Sequence, residues 1–186
     1  RAPTGVQDYW GGIRGGINAI EFQPGRTRVN TFEASAVPSL EESMIVCYSG
    51  QSRQSAINNW EVFKRVFDGD QSLIQRLELI GREAESCAVA LKSGDLSALL
   101  EHSQREWKLR VGLWPNIETE RTRRIDLAAM AAGARFSRVC GAGGGGVMVI
   151  FADANIRAKV VAAATGAGGE ILPAKISPQG VRLKFN

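Results

Sequence analysis

Histidine occurs once in these 186 residues, at position 102, and cysteine three times. His102 sits between Glu101 and Ser103 with no candidate metal partners near it, so it reads as a surface helix residue. Cys47, Cys87 and Cys140 are odd in number, far apart and never form a C-x-x-C pair. That excludes a thiolate metal site and implies reduced, mostly buried thiols in a cytoplasmic protein. No apolar run approaches the roughly 20 residues of a membrane span, and no charged segment followed by an apolar one marks a secretory signal. The 23 basic residues against 19 acidic ones give a net charge of only +4, and they are scattered as "GRTR", "QREWKLR" and "ERTRR". Without a dense basic block interleaved with aromatics, a nucleic-acid partner is not expected. No internal repeat is visible. The chain opens "RAPTGVQDYW", without an initiator Met, and reads as the middle of something longer.

What is present is enough apolar material, 44% of residues, for a sizeable core. "GVQDYWGGIRGGINAIEF" is turn-rich and then apolar, which suits a loop or short helix leading into a strand. The next stretch to Leu40 is polar, with Pro24-Gly25 as a turn, and a domain junction is expected near residue 38. "SMIVCYSG" reads as a buried strand. Three helices are predicted after it. They are Leu73 to Leu91, with Leu73, Leu77, Ala84, Ala88 and Leu91 at helical spacing; Leu96 to Val111; and about Glu118 to Ala132, ending at Gly133. A strand, the glycine run, the strand "VMVIFA", a helix over "ANIRAKVVAAATGAG" and a strand pair "GEILPAKI" and "GVRLKF" complete the order. This pattern predicts an α+β sandwich, one sheet with helices on one face.

The segment "CGAGGGGV" holds five glycines in six residues, Gly141 to Gly146, interrupted only by Ala142. Gly141, Gly143 and Gly146 satisfy G-x-G-x-x-G, but the dinucleotide fingerprint requires a helix to begin there, and "VMVIFA" is strand. A phosphate-binding P-loop is excluded because Gly146 is followed by Val147 and Met148 instead of Lys and Ser or Thr. A flexible spacer does not sit between two strands. Two readings stay open on geometry alone: a structural turn, or a loop whose missing side chains let a phosphate approach.

The whole segment "GARFSRVCGAGGGGVMVIF" resembles the third signature motif of the GHMP kinases, a Lys, a small hydroxyl residue and G-A-G-x-G-G entering a strand. Arg138 stands at the Lys position and Cys140 where Ser or Thr is usual, so the charge is retained and the hydroxyl lost. "GVQDYWGGIRGGINAIEF" resembles a second family segment, and "IVCYSGQSRQSA" and "REWKLRVGLWPNIETERTRRIDLAAMAAGA" match two more in the same order. The form is most like the bacterial heptose-phosphate kinases. The resemblance implies a ferredoxin-like α/β sandwich over residues 39–186, preceded by a short remnant of the family's N-terminal domain over residues 1–38.

It implies further that Asp8 is the catalytic base, taking the proton of a sugar hydroxyl during phosphoryl transfer. Read without the family, Asp8 is a helix N-cap. Gln7, Asp8 and Arg53 are the implied substrate-binding residues, Arg53 through its forked donors. Gly141, Ala142, Gly143, Gly144, Gly145 and Gly146 are the implied ATP-phosphate loop. No metal ligand is expected in this chain. ATP is the implied cofactor, with Mg²⁺ held by the family's N-terminal half, whose main phosphate cradle, P-x-x-x-G-L-x-S-S-A, is absent here. That half is expected in the same or a partner chain. The implied function is the C-terminal portion of an ATP-dependent kinase for a sugar or sugar phosphate, heptose phosphate fitting best, and inactive alone. The alternative is a non-catalytic binding or regulatory module on the same fold. The pair Glu83 and Glu85 lies two apart on a helix, on different faces, and is no carboxylate dyad.

Overall fold

The computed structural model describes residues 6–52 and 59–182. Helix α1 (Gln7–Arg14) leads into strand β1 (Ile17–Gln23), which pairs antiparallel with β2 (Arg26–Phe32) from Ile17↔Phe32 to Gln23↔Arg26. Pro24-Gly25 is the turn, with Gly25 at φ +68°. The polar segment after the turn is thus a strand. Its β-branched Thr27, Val29 and Thr31 fall on one side at period two, a pattern its polar composition hides.

A 3-10 turn (Ala34–Ala36) and the short α2 (Leu40–Ser43) connect the hairpin to β3 (Met44–Tyr48). Four helices follow: α3 (Asn59–Phe67), α4 (Gln71–Ser93), α5 (Leu96–Val111) and α6 (Glu120–Ala131). Then come β4 (Phe136–Val139), β5 (Val147–Phe151), α7 (Arg157–Gly166) and β6 (Glu170–Leu172). The sheet order is β4-β5-β3-β6 with every neighbour antiparallel. This is the β-α-β-β-α-β arrangement of the ferredoxin-like sandwich, with the first crossover enlarged to four helices.

Helices cover both faces of the sheet, a correction to the one-sided layering read from the sequence. Consecutive β4 residues show it: the Ser137 hydroxyl donates to Asp126 of α6 at 2.6 Å, and Arg138 reaches Ser103 of α5 at 3.2 Å. Successive strand side chains point to opposite faces, so α5 and α6 stand on opposite sides. On one side Ile45, Cys47, Met148 and Ile150 pack with Ile125, Ala129, Val160 and Ala164 of α6 and α7. On the other, Phe136 and Phe151, stacked at 6.0 Å, pack with Leu73, Leu91, Leu100 and Trp107 of α4 and α5. The physical reason was present in "VMVIF": a strand without polar alternation must be buried on both faces.

Helices α4, α5 and α6 carry side-chain caps at their N-termini. Asp70 and Asp95 accept from the amides of Leu73 (3.1 Å) and Ala98 (3.0 Å), and Thr119 forms a reciprocal cap with Thr122. Gly94 (φ +69°) and Gly133 (φ +104°) follow α4 and α6 in left-handed conformations. Hydrogen bonds from Ser72 and Arg65, and then the Leu73 amide, hold the Asp70 carboxyl well below the usual carboxylate range. The sign follows directly. A depressed folded-state pKa contributes stability that is complete above about pH 4 and is lost as pH falls below it. Asp70→Asn is therefore expected to flatten the decline of stability below about pH 4 in acid titrations followed by circular dichroism, and to leave the slope above it unchanged.

Three smaller expectations are corrected. Ala84, placed on the buried side of α4, is exposed. His102 is half-buried, its Nδ1 2.7 Å from Glu83 Oε2, and ties α5 to α4. Residues 180–182 form no strand; the segment instead runs back to the hairpin unit, where Gly16 N donates to Ser177 O (2.7 Å) and Val181 N to Gly12 O (2.8 Å). Glu85 is exposed and Glu83 is not, as their spacing predicts. Among the described residues no helix is long and apolar enough to cross a membrane.

Candidate functional site

The glycine run is the connection between β4 and β5. Cys140 N donates to Val147 O at 2.8 Å, closing the ladder, and the chain then bulges through Gly141, Gly143, Gly144, Gly145 and Gly146, all at φ between +71° and +106°. Only glycine takes such a succession without steric cost. Its inner side rests on two other segments. Gly144 N donates to Ile117 O and Gly146 N to Gln51 O, each at 2.9 Å, while Ser49 N donates to Gly146 O at 2.9 Å. A Cβ on Gly143 would stand 2.6 Å from Ile117 O, and one on Gly145 3.2 Å from Gln51 O.

Close backbone approach therefore explains the buried part of the run, Gly143 to Gly145, by contact with the protein itself. The amides of Gly144 and Gly146 are already engaged. The accessible rim is Gly141, which is exposed, and Ala142, which is half-buried; Gly146 is half-buried too, but its amide is engaged. Cys140 is half-buried beside it.

The strand that feeds the turn brings Arg138 into a different environment from a phosphate loop. Its Nη1 lies 2.8 Å from Glu106 Oε2, its guanidinium stands 5.6 Å over the Trp107 ring, and Arg110 Nε donates to Glu106 Oε1 at 2.6 Å. Arg138 is thus paired with a carboxylate of α5 that it shares with Arg110. Neighbouring Cys87, on α4, has its thiol pushed up to about 11, mainly by burial, which keeps it protonated and unreactive at neutral pH.

Asp8 lies in the first turn of α1, exposed, with Val6 in the N-cap position, so it is not the N-cap its bare sequence suggests. A carboxylate there complements the helix dipole. Gln7 is the first residue of α1 and is exposed. The α1 unit is hydrogen-bonded to the segment at 177–181 and the glycine turn to Ile117, Ser49 and Gln51, so the two sets of candidates rest on separate supports. Arg53 lies outside the described residues. Arg121 of α6 donates to Gly50 O, which brings an exposed guanidinium beside the segment that seats Gly146. Nothing local in the chain singles out Arg121, because its proximity is created by the fold across 71 positions. Among the described residues no group of three His, Cys, Asp or Glu side chains is placed to hold a metal ion.

Comparison with known proteins finds small-molecule kinases both by sequence and by fold. The D-glycero-alpha-D-manno-heptose 7-phosphate kinase of Campylobacter jejuni is 23% identical over 184 residues, covering 96% of this chain and 53% of the relative. Mevalonate kinase of Pyrococcus furiosus is 28% identical over 151 residues, 80% of this chain and 45% of the relative. Among solved structures, a D-glycero-D-manno-heptose 1-phosphate kinase from Bacteroides thetaiotaomicron superposes with a TM-score of 0.67 at 22% identity, over 96% of this chain and 48% of that one. The Streptococcus pneumoniae phosphomevalonate kinase in complex with phosphomevalonate and AMPPNP gives 0.56 at 20% identity, over 78% and 41%. The chain spans about half the length of the curated relatives it matches. No protein-family model matches it.

Proposed function

We propose that this chain is the C-terminal part of an ATP-dependent kinase of the GHMP type that phosphorylates a hydroxyl of a sugar or sugar phosphate. The observation that carries the reading is the glycine turn: five left-handed glycines seated on Ile117 and Gln51 between two strands of a ferredoxin-like sheet. Support comes from relatives that are small-molecule kinases and from a neighbour solved with AMPPNP. Residues 1–38 are assigned to the end of a nucleotide-binding domain and residues 39–186 to the C-terminal domain. Heptose phosphate is the acceptor favoured by the Campylobacter and Bacteroides relatives.

In this reading Asp8 orients the acceptor hydroxyl and takes its proton, with Gln7 and Arg53 on the acceptor. The rim at Gly141 and Ala142 borders the phosphates. ATP is the phosphoryl donor, and the principal phosphate cradle and the Mg²⁺ ligands belong to an N-terminal half in the same or a partner chain. The protein works in the cytoplasm, and neither nucleic acid nor membrane enters its chemistry.

The test is ADP release by a polypeptide containing both halves against a panel of heptose, hexose and sugar-phosphate acceptors. Turnover on one acceptor, slowed about 100-fold by Asp8→Asn, is expected, and the 186-residue chain alone is expected to release none. Saturable acceptor binding without ADP release from any acceptor would replace the kinase by a binding module on the same fold.

A further inference from the structure

Strand β4 is the free edge of the four-stranded sheet, with α5 on one face and α6 on the other. Along that edge, between the two helices, lies a cavity of about 330 Å³, within the range of small-molecule sites. Its apolar lining is Trp107 and Val111 from α5, Met130 from α6 and Phe136 from β4, and Gln104 of α5 adds a polar group. Two carboxylates enter it from one side, Glu118 from the turn before α6 and Asp126 from α6 itself. The Ser137 hydroxyl fixes Asp126 by a 2.6 Å hydrogen bond to Oδ1. Among the described residues no ion pair within 4.0 Å engages Glu118 or Asp126. Lys108 of α5, an exposed residue, also lines the cavity.

We propose that this cavity is a binding site for a small organic cation, an ammonium or guanidinium on a compact apolar body. The charge would sit between Glu118 and Asp126, and the body against Trp107 and Met130. Two carboxylates in a half-dry space repel each other, and a cation between them removes that repulsion. Burial, and then the Asp126 charge, push the Glu118 carboxyl upward against a smaller opposing effect of Arg123, and the Asp126 part of this is that repulsion. The aromatic wall favours a flat or aliphatic body and, at Trp107, a positive edge. This site is independent of the kinase reading, but it touches the glycine turn: the Ile117 carbonyl that seats Gly144 belongs to the residue preceding Glu118.

The test is a titration of the isotope-labelled 186-residue chain with phenethylammonium, followed by amide and indole NMR shifts. Its neutral and anionic counterparts, 2-phenylethanol and 3-phenylpropionate, serve as comparison arms. Saturable binding at about 1 mM is expected for the ammonium, with shifts at the Trp107 indole and the Gly144 amide. The neutral arm, and the Glu118→Gln variant with the ammonium, are expected to bind about fivefold more weakly or less. Met130→Trp, which fills the cavity from a partly exposed position, is expected to abolish binding while the melting temperature holds. Equal binding of ammonium and alcohol, an unchanged affinity in Glu118→Gln, or no saturation by about 10 mM would each overturn the assignment.

Discussion

Glu106→Ala is expected to destabilise the chain by about 4 kcal/mol, read as a lowered urea midpoint at unchanged slope. The Glu106 side chain is only 6% exposed, and it holds two guanidiniums at once, Arg110 along its own helix and Arg138 from β4. Arg138 is itself 20% exposed and capped by the Trp107 ring. Removing the carboxylate leaves two positive charges facing each other in a space that water reaches poorly. The cost comes from those stranded charges more than from the lost attraction, because burying the pair was expensive in the first place. Glu106→Gln keeps an acceptor for one guanidinium and is expected to lose about half as much. Replacing Glu106 and Arg138 together by Met removes the charges as a pair and is expected to recover most of the loss, even though Arg110 remains, since Arg110 is the more exposed of the two arginines. A loss below about 1 kcal/mol in Glu106→Ala would mean the cluster behaves as a surface pair.

That cluster also shows where the sequence stopped being informative. The periodicity of Leu73 to Leu91 and Leu96 to Val111, the glycines at 94 and 133, and the unbroken apolar run of "VMVIF" locate helices and strands because they act through neighbours in the chain. An α+β sandwich was legible from them, while the ferredoxin-like order came only as what the motif resemblance implied. Which face each helix covers was not legible, because the pairing of β4 at an edge with α5 and α6 on opposite sides is decided by long-range packing. Helix α3 escaped because Trp60, Phe63 and Phe67 remain exposed while Val62 and Val66 pack inward, so two apolar stripes blur the period. "QREWKLR" reads as solvated charge, and nothing local marks Glu106 as buried beneath Arg138. At the candidate site the glycine run announced an unusual backbone, but its partners, Ile117 and Gln51, lie 27 and 94 positions before Gly144 and Gly145. Asp8 was visible as a residue type, and its place in the first turn of α1, two residues past Val6, was fixed only by the helix start.

Gly143→Ala is expected to cost about 3 kcal/mol or more, and the reason separates close packing from backbone preference. An alanine at φ +87° carries the left-handed strain of about 1–2 kcal/mol. The same conformation occurs at Gly25, φ +68°, where an added Cβ meets nothing within 4 Å, so Gly25→Ala should show that strain alone. At Gly143 the Cβ would also stand 2.6 Å from the Ile117 carbonyl oxygen and 2.8 Å from its Cγ2, inside any real contact. The turn must then lift off Ile117, which strains or breaks the Gly144 N–H to Ile117 O hydrogen bond and adds an overpacking cost of about 1–3 kcal/mol. The expected result is a thermal midpoint lowered clearly more by Gly143→Ala than by Gly25→Ala, with faster hydrogen exchange at the Gly144 amide only in the former. Because the disturbance begins at Ile117, it should extend to Glu118 and reach the cavity between α5 and α6, whereas Gly25→Ala should leave that region unchanged. Equal losses in the two variants would mean that the run is glycine-rich for its backbone angles alone, and that its seat on Ile117 contributes little.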